Sequence, residues 1–294
     1  MNGRNKSYLS VCRTVVLSAV LAATLLTALP ALAIDALTVG VFPRRDPAVT
    51  MKLFKPLRAY LEENLGIPVR LETAKDFTAF EAQVAQRRYD LVHFNQYQYL
   101  IANKASAYDV LAQNEEFGET RISGAIYVHK DVGITDLEQL KGKTIIFGGG
   151  EQAMMSYIVP TYLLRQAGLN KRDYTEQFAK SPPNAVLATF MRQAHAGGAG
   201  EVVRRLPLVT GKIDVTQLNL IAVSEPLPHL PWAVKRELPD TLKDQVRALL
   251  LELKDTDAGK EILKSAKLTG VNPAQDSDYD AHRAIIEAVE GGVD

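Results

Sequence analysis

Ala36-Leu-Thr-Val-Gly-Val-Phe42 is an apolar run of the length of one buried strand, and Pro43-Arg44-Arg45-Asp46-Pro47 breaks it. Leu53, Phe54, Leu57, Leu61 and Leu65 then recur at helical spacing, and Gly66 supplies a stop. Pro68-Val-Arg-Leu-Glu72 reads as a second strand, Phe77 to Arg87 as a second helix, and Asp90-Leu-Val-His-Phe94 as a third strand. Strands alternating with amphipathic helices build an open sheet covered by helices, so the expected fold class is α/β.

The pattern restarts further along. Ile122 to His129 reads as a strand, Leu137-Glu-Gln-Leu-Lys-Gly142 as a short helix, and Lys143-Thr-Ile-Ile-Phe147 as a strand running into Gly148-Gly149-Gly150. A helix is expected from about Ala153 to Ala167, stopped by Gly168, and a strand over Leu218 to Val223. Ser224-Glu-Pro-Leu-Pro228 breaks the chain, and amphipathic helices over Asp240–Leu253 and Asp276–Val289 close it. Two strand-helix sets imply two lobes. Residues 34–120 with 225–294 are assigned to lobe I and residues 121–224 to lobe II, with hinges near 121 and 224.

The amino-terminal 33 residues differ from the rest. Arg4, Lys6 and Arg13 form a basic start, Val15 to Leu29 is apolar apart from Ser and Thr, and Ala31-Leu32-Ala33 gives a small-x-small site. This is the layout of a cleavable secretory signal, with cleavage expected after Ala33 and the mature chain in the periplasm. The single cysteine, Cys12, precedes the apolar core, so a mature chain would carry no thiol and no disulfide. Lys+Arg and Asp+Glu balance at 34 each, which leaves no basic field for nucleic acid.

Motifs for bond-making chemistry fail on spacing. Lys141-Gly142-Lys143-Thr144 lacks the upstream glycine of a phosphate loop. The five histidines, at 93, 129, 195, 229 and 282, show no zinc spacing. There is no Gly-x-Ser-x-Gly elbow. The reading is a non-enzyme with no catalytic residues, no cofactor and no metal.

Several segments carry a family resemblance: Asp90-Leu-Val-His-Phe-Asn-Gln-Tyr-Gln-Tyr99, Ile122-Ser-Gly-Ala-Ile-Tyr-Val-His-Lys-Asp131, Asp136-Leu-Glu-Gln-Leu-Lys-Gly-Lys-Thr144, Tyr157-Ile-Val-Pro160 and Ser224-Glu-Pro-Leu-Pro-His-Leu-Pro231. Together they resemble the phosphate/phosphite/phosphonate-binding proteins of ABC importers, a branch of the type II periplasmic binding proteins. The resemblance implies two α/β lobes joined by two crossover segments, a ligand cleft between them and closure by hinge motion. It implies a small-molecule ligand, an oxyanion or small organic anion, and a membrane partner that is an ABC permease or, alternatively, a sensor histidine kinase. The protein is expected to act as a monomer.

The departures from the family concern the ligand. The family's Ser-Thr-Ser-Gly loop falls here on Ala153, Met154, Met155 and Ser156, and its acidic groups fall on Ser181-Pro-Pro-Asn184 and on Ala196. Those acidic groups suit the amino group of an aminophosphonate, so that ligand is not expected. Arg44 and Arg45 follow the first strand's carboxyl end, where open α/β sheets bind ligands, and arginine forks suit carboxylates and oxyanions. The other expected ligand contacts are Asn95, Gln96, Tyr97, Tyr99, Ser123, Gln152, Met154, Met155, Ser156, Tyr157 and Asn184. For Tyr99 the alternative is a core tyrosine with a satisfied hydroxyl, and for Asn184 a helix N-cap. Met154 and Met155 are read as apolar packing or pocket lining; a soft-metal site with His93 or His229 is the sharper alternative.

Overall fold

The structure, a computed structural model, describes residues 34–105 and 107–291. The secretory signal expected from the sequence, with its expected cleavage after Ala33, lies outside the described residues.

In chain order the strands are β1 (Leu37–Val41), β2 (Val69–Glu72), β3 (Leu91–His93), β4 (Tyr108–Glu115), β5 (Arg121–Ile122), β6 (Gly124–His129), β7 (Thr144–Gly148), β8 (Thr175–Ala179), β9 (Ala196–Gly200), β10 (Leu218–Val223), β11 (Leu227–Pro228), β12 (Pro231–Lys235) and β13 (Gly270–Pro273). They form two main sheets. One is six-stranded in the order β13-β4-β12-β3-β1-β2, the other five-stranded in the order β10-β6-β9-β7-β8. Each sheet with its helices is a lobe, the first built on the six-stranded sheet and the second on the five-stranded one. Within each, three strands pair in parallel, β1 with β2 and β3, and β7 with β8 and β9, and the remaining pairs are antiparallel. The chain passes between the sheets twice, and the two passages pair with each other as an antiparallel ribbon, Leu227 opposite Ile122 and Pro228 opposite Arg121.

Local signals explain most elements. Asp46 caps the helix Pro47–Leu65 by accepting from the amides of Ala48 and Val49, and Gly66 ends it with φ of 66°. That positive φ is open to glycine without strain. The helix buries Phe54, Leu57 and Leu61, three residues of the apolar series in the sequence. β9 is Ala-Gly-Gly-Ala-Gly because the neighbours leave no room. A Cβ on Gly197 would lie 2.1 Å from Thr189 Oγ1, and one on Gly198 2.5 Å from the Phe147 ring.

Several elements go beyond the sequence reading: the helices Gln96–Lys104, Pro182–Phe190 and Asp257–Ala266, and the strands β4, β8 and β13. The helix expected over Ala153–Ala167 divides, with a π-helical turn at Met154–Ile158 before the α-helix Val159–Gln166. Such wide turns are rare and occur often at functional sites. The C-terminal helix Asp280–Glu290 touches both lobes: Ile285 and Val289 join the apolar cluster of the second lobe, and Arg165 Nη1 donates to the Ala288 carbonyl at 2.8 Å. Tyr279, just before it, is buried in the first lobe's cluster. Among the described residues no helix is long and apolar enough to cross a membrane.

Candidate ligand groove

A groove of about 1580 Å³ opens where parallel strands of both sheets end. Residues after β1 (Pro43 to Val49) and after β2 (Lys75 to Thr78) line one side. Residues after β7 (Gly149 to Ala153) and after β8 (Lys180 to Asn184) line the other. The carboxyl ends of parallel strands are where the chain leaves the sheet and exposes backbone amides, which is the usual ligand position in such folds.

The two arginines after β1 take different environments. Arg44 is tied down: its Nη1 donates to Glu116 Oε1 at 2.5 Å and its Nη2 to Oε2 at 3.4 Å. Glu116 is 3% exposed. Burial alone would raise its carboxyl pKa, but Arg44 and its neighbours outweigh that and hold it down at about 2. Arg45 is half-buried and lines the groove, and among the described residues nothing accepts a hydrogen bond from its guanidinium. Burial, with the charge of Arg44 adjacent, brings Arg45 down to about 10, so it stays protonated at neutral pH.

Behind them lies a buried polar network. His93 is stacked on Trp232 with ring centroids 4.6 Å apart, and its Nε2 meets Asn114 Nδ2 at 2.8 Å. Trp232 Nε1 donates to Asn114 Oδ1 at 2.8 Å. His229 Nδ1 accepts from the Leu230 amide at 2.7 Å, and its Nε2 lies 4.0 Å from Glu116 Oε2. Burial holds both histidines neutral, His93 at about 3 and His229 at about 4.

On the far side, Gly148 ends β7 against the start of the helix Pro182–Phe190, with a Cβ there only 2.3 Å from the Pro182 Cα. Gly149 and Gly150 follow with φ of 112° and 142°, a backbone that side chains resist. Among the described residues the amides of Gly150, Glu151 and Gln152 donate to no protein acceptor, and all three residues line the groove. Ser181 is the N-cap of the next helix. Asn184, expected as a ligand contact with a helix N-cap as the alternative, therefore sits in the first turn, exposed, and not at the cap.

Of the expected contacts, Arg44, Arg45, Gln152 and Asn184 line the groove together. The others lie elsewhere. Asn95 caps its helix, accepting from the Tyr97 and Gln98 amides at 2.8 Å and 3.4 Å, while its Nδ2 donates across to the Gln152 carbonyl at 3.0 Å. Gln152 in turn donates to Glu81, so these groups clasp the two lobes. Gln96 Nε2 donates to the Pro228 carbonyl at 3.2 Å in the crossover ribbon. Tyr97 packs, half-buried, against the second lobe's core. Tyr99 is a core tyrosine, 0% exposed, with its hydroxyl donating to Asp276 Oδ1 at 2.6 Å. The carbonyl of Ser123 accepts from the Glu201 amide at 2.8 Å.

Met154, Met155 and Ser156 are all buried, and both methionines belong to the second lobe's apolar cluster. For the soft-metal alternative, the methionines sit in the second lobe's apolar cluster, whereas His93 and His229 belong to the first lobe, each with one ring nitrogen engaged, by Asn114 and by the Leu230 amide. Tyr157 is buried with its hydroxyl 3.2 Å from Glu176 Oε1, and burial raises its pKa. The sequence reading missed the exposed lysines Lys75, Lys180 and Lys260 on the rim, and Val49, Phe117 and Leu208 on the walls. No local pattern marks them, because the groove assembles them from separate segments.

Two α/β lobes joined by a paired double crossover, with a groove at the strand ends, define a type II periplasmic binding protein. Residues 39–279 match the family described as "ABC transporter, phosphonate, periplasmic substrate-binding protein", and the chain belongs to that family. Three solved structures share the fold. A Xanthomonas citri protein bound to chloride ion is 18% identical, with TM-score 0.76, over 87% of this chain and 98% of that one. PhnD1 from Prochlorococcus marinus in complex with methylphosphonate is 19% identical, with TM-score 0.75, over 85% and 97%. A binding protein component of an ABC phosphonate transporter from Pseudomonas aeruginosa is 17% identical, with TM-score 0.74, over 86% and 86%.

Proposed function

We propose that this family member is exported, cleaved after Ala33, and captures a small organic anion in the periplasm by hinge closure of residues 34–120 plus 225–294 on residues 121–224. It then delivers the anion to an ABC permease. One observation carries the reading: Arg45, protonated, half-buried and without a hydrogen-bond acceptor for its guanidinium among the described residues, lines a groove between two lobes. The guanidinium is partly removed from water beside the like charge of Arg44, and the nearby carboxylate, Glu116, is bonded to Arg44, so an anionic ligand relieves the cost. The lysines of the rim add a long-range attraction. Free amides after β7 supply neutral donors from the opposite wall.

The same residues argue against an aminophosphonate. A ligand ammonium needs carboxylates, and of those lining the groove Asp46 and Asp76 cap helices, while Glu151 is exposed and paired with Lys171 Nζ at 2.8 Å. Signalling through a sensor kinase would use the same closure; neighbouring kinase and regulator genes in place of permease and ATPase genes would favour it.

The test is native mass spectrometry of the purified protein, followed by a thermal-shift screen of organic anions, amines and sugars. Stabilisation by anions is the expected result. Stabilisation by 2-aminoethylphosphonate alone, or by amines or neutral sugars alone, would contradict it.

A further inference from the structure

A second, much smaller cavity adjoins the groove. Its volume is about 10 Å³, enough for one oxygen atom or one water. Arg44, Arg45 and Leu268 line both spaces, and His93 and Glu116 line the small one.

The protons in this corner follow from donor inventory. Trp232 Nε1 can only donate, so the Asn114 oxygen faces it and the Asn114 amide nitrogen faces His93. His93 Nε2 is then an acceptor, and the neutral ring carries its hydrogen on Nδ1. That Nδ1–H is buried, with no partner among the described residues, on a side chain 4% exposed. Glu116, the acidic residue lining the cavity, is already engaged by Arg44. The cavity thus brings together the guanidinium of Arg45, which bonds to no acceptor among the described residues, and the buried, unpartnered His93 Nδ1–H.

The groove's walls carry the opposite chemistry. Val49, Phe117 and Leu208 are 45%, 37% and 52% exposed, and all three line it. Large apolar side chains gathered in one concave site mark a place where apolar ligand surface is covered.

We propose that the ligand is an amphiphilic anion, with one oxyanion head and an apolar body. One head oxygen enters the small cavity and accepts from Arg45 and His93 Nδ1–H, and the body lies along Val49, Phe117 and Leu208. This deepens the organic-anion reading and rests on it. The head is anchored on the first lobe, which reaches it with a charged side chain; the second lobe's free amides close over it. Arg44 and Glu116 are positioning residues that hold the corner's shape.

Isothermal titration with straight-chain alkylphosphonates and alkanesulfonates, from methyl to octyl, tests this. Affinity should rise by about 4-fold per buried methylene over the first several carbons. R45Q should weaken every homologue by about 10- to 100-fold while keeping that slope, and R45K should lie between. F117A and L208A, at exposed positions, should flatten the slope, weakening the octyl homologue by a larger factor than the methyl one. Thermal unfolding of each variant checks that it is folded. Equal affinity for methyl and octyl homologues overturns the amphiphile and leaves the anion reading standing. Unchanged binding in folded R45Q overturns the anchor, as does binding of no homologue in either series. Binding of alkylamines or alkyl alcohols in their place overturns this proposal and the anion reading together.

Discussion

The two walls of the groove are made in opposite ways. The first lobe builds its wall from charge: an arginine–glutamate pair backed by two buried neutral histidines, and Arg45 without an acceptor among the described residues. The second lobe builds its wall from backbone geometry, with glycines at positive φ and two prolines opening a helix, and a π-helical turn of buried side chains packs in the core behind it. Buried charge is strongly favourable only while every partner is present, whereas a backbone-defined wall depends on close approach. The first wall should therefore fail with pH and with loss of one partner, and the second only with added bulk.

Acid gives the largest contrast. His93, His229 and His282 are held neutral by burial, at about 3, about 4 and about 3. In the unfolded chain each takes a proton near pH 6.5. A lowered pKa in the fold means that the unfolded state binds more protons below that value, so the stability is complete above about pH 6.5 and is lost as pH falls toward 4. Three such groups give a slope of about 4 kcal/mol per pH unit between about pH 6 and about pH 4. Urea unfolding across that range should show it; a flat profile would mean that the histidines are solvated.

Removing one partner comes next. E116Q leaves Arg44 in the buried corner without its anion, and the expected loss is about 3 kcal/mol. Replacing both partners by apolar residues of similar size, R44M with E116L, should recover most of it. Equal losses in the single and double variants would show that Glu116 acts through packing, and the contrast between the walls would weaken.

The second wall should respond to bulk and ignore side-chain chemistry. G148A pushes a methyl into the Pro182 backbone, where neither side can yield easily, at an expected cost of about 1–3 kcal/mol. M155L keeps shape and polarity in a packed cluster and should cost less than about 1.5 kcal/mol, with ligand affinity unchanged. A large loss of binding in folded M155L would return the methionines to the ligand site.

The same division explains what could be read in the sequence. β1 and the helix Pro47–Leu65 announce themselves by short-range rules: an apolar run, a capping aspartate, a period near 3.6, a glycine stop. Arg44 and Arg45 were legible as groove residues because their position after β1 follows from that alternation. Glu116 was not, because its partner lies 72 residues away and nothing local marks it. Asn95, Gln96 and Tyr99 have the right chemistry for a ligand, but their donors meet the Gln152 carbonyl, the Pro228 carbonyl and Asp276. Whether a polar side chain faces a ligand or its own fold is decided by tertiary partners. For the helix Pro182–Phe190 the sequence offered a cap at Asn184, but Ser181 is the N-cap, because proline suits the first helical turn.

Closure on an anion is the central claim, and small-angle X-ray scattering measures it most directly. The protein should be compared alone and saturated with the tightest alkylphosphonate or alkanesulfonate found by titration. A fall in the radius of gyration on addition, absent for R45Q at the same concentration, is the expected result. An unchanged radius in a sample that calorimetry shows to be saturated would contradict it.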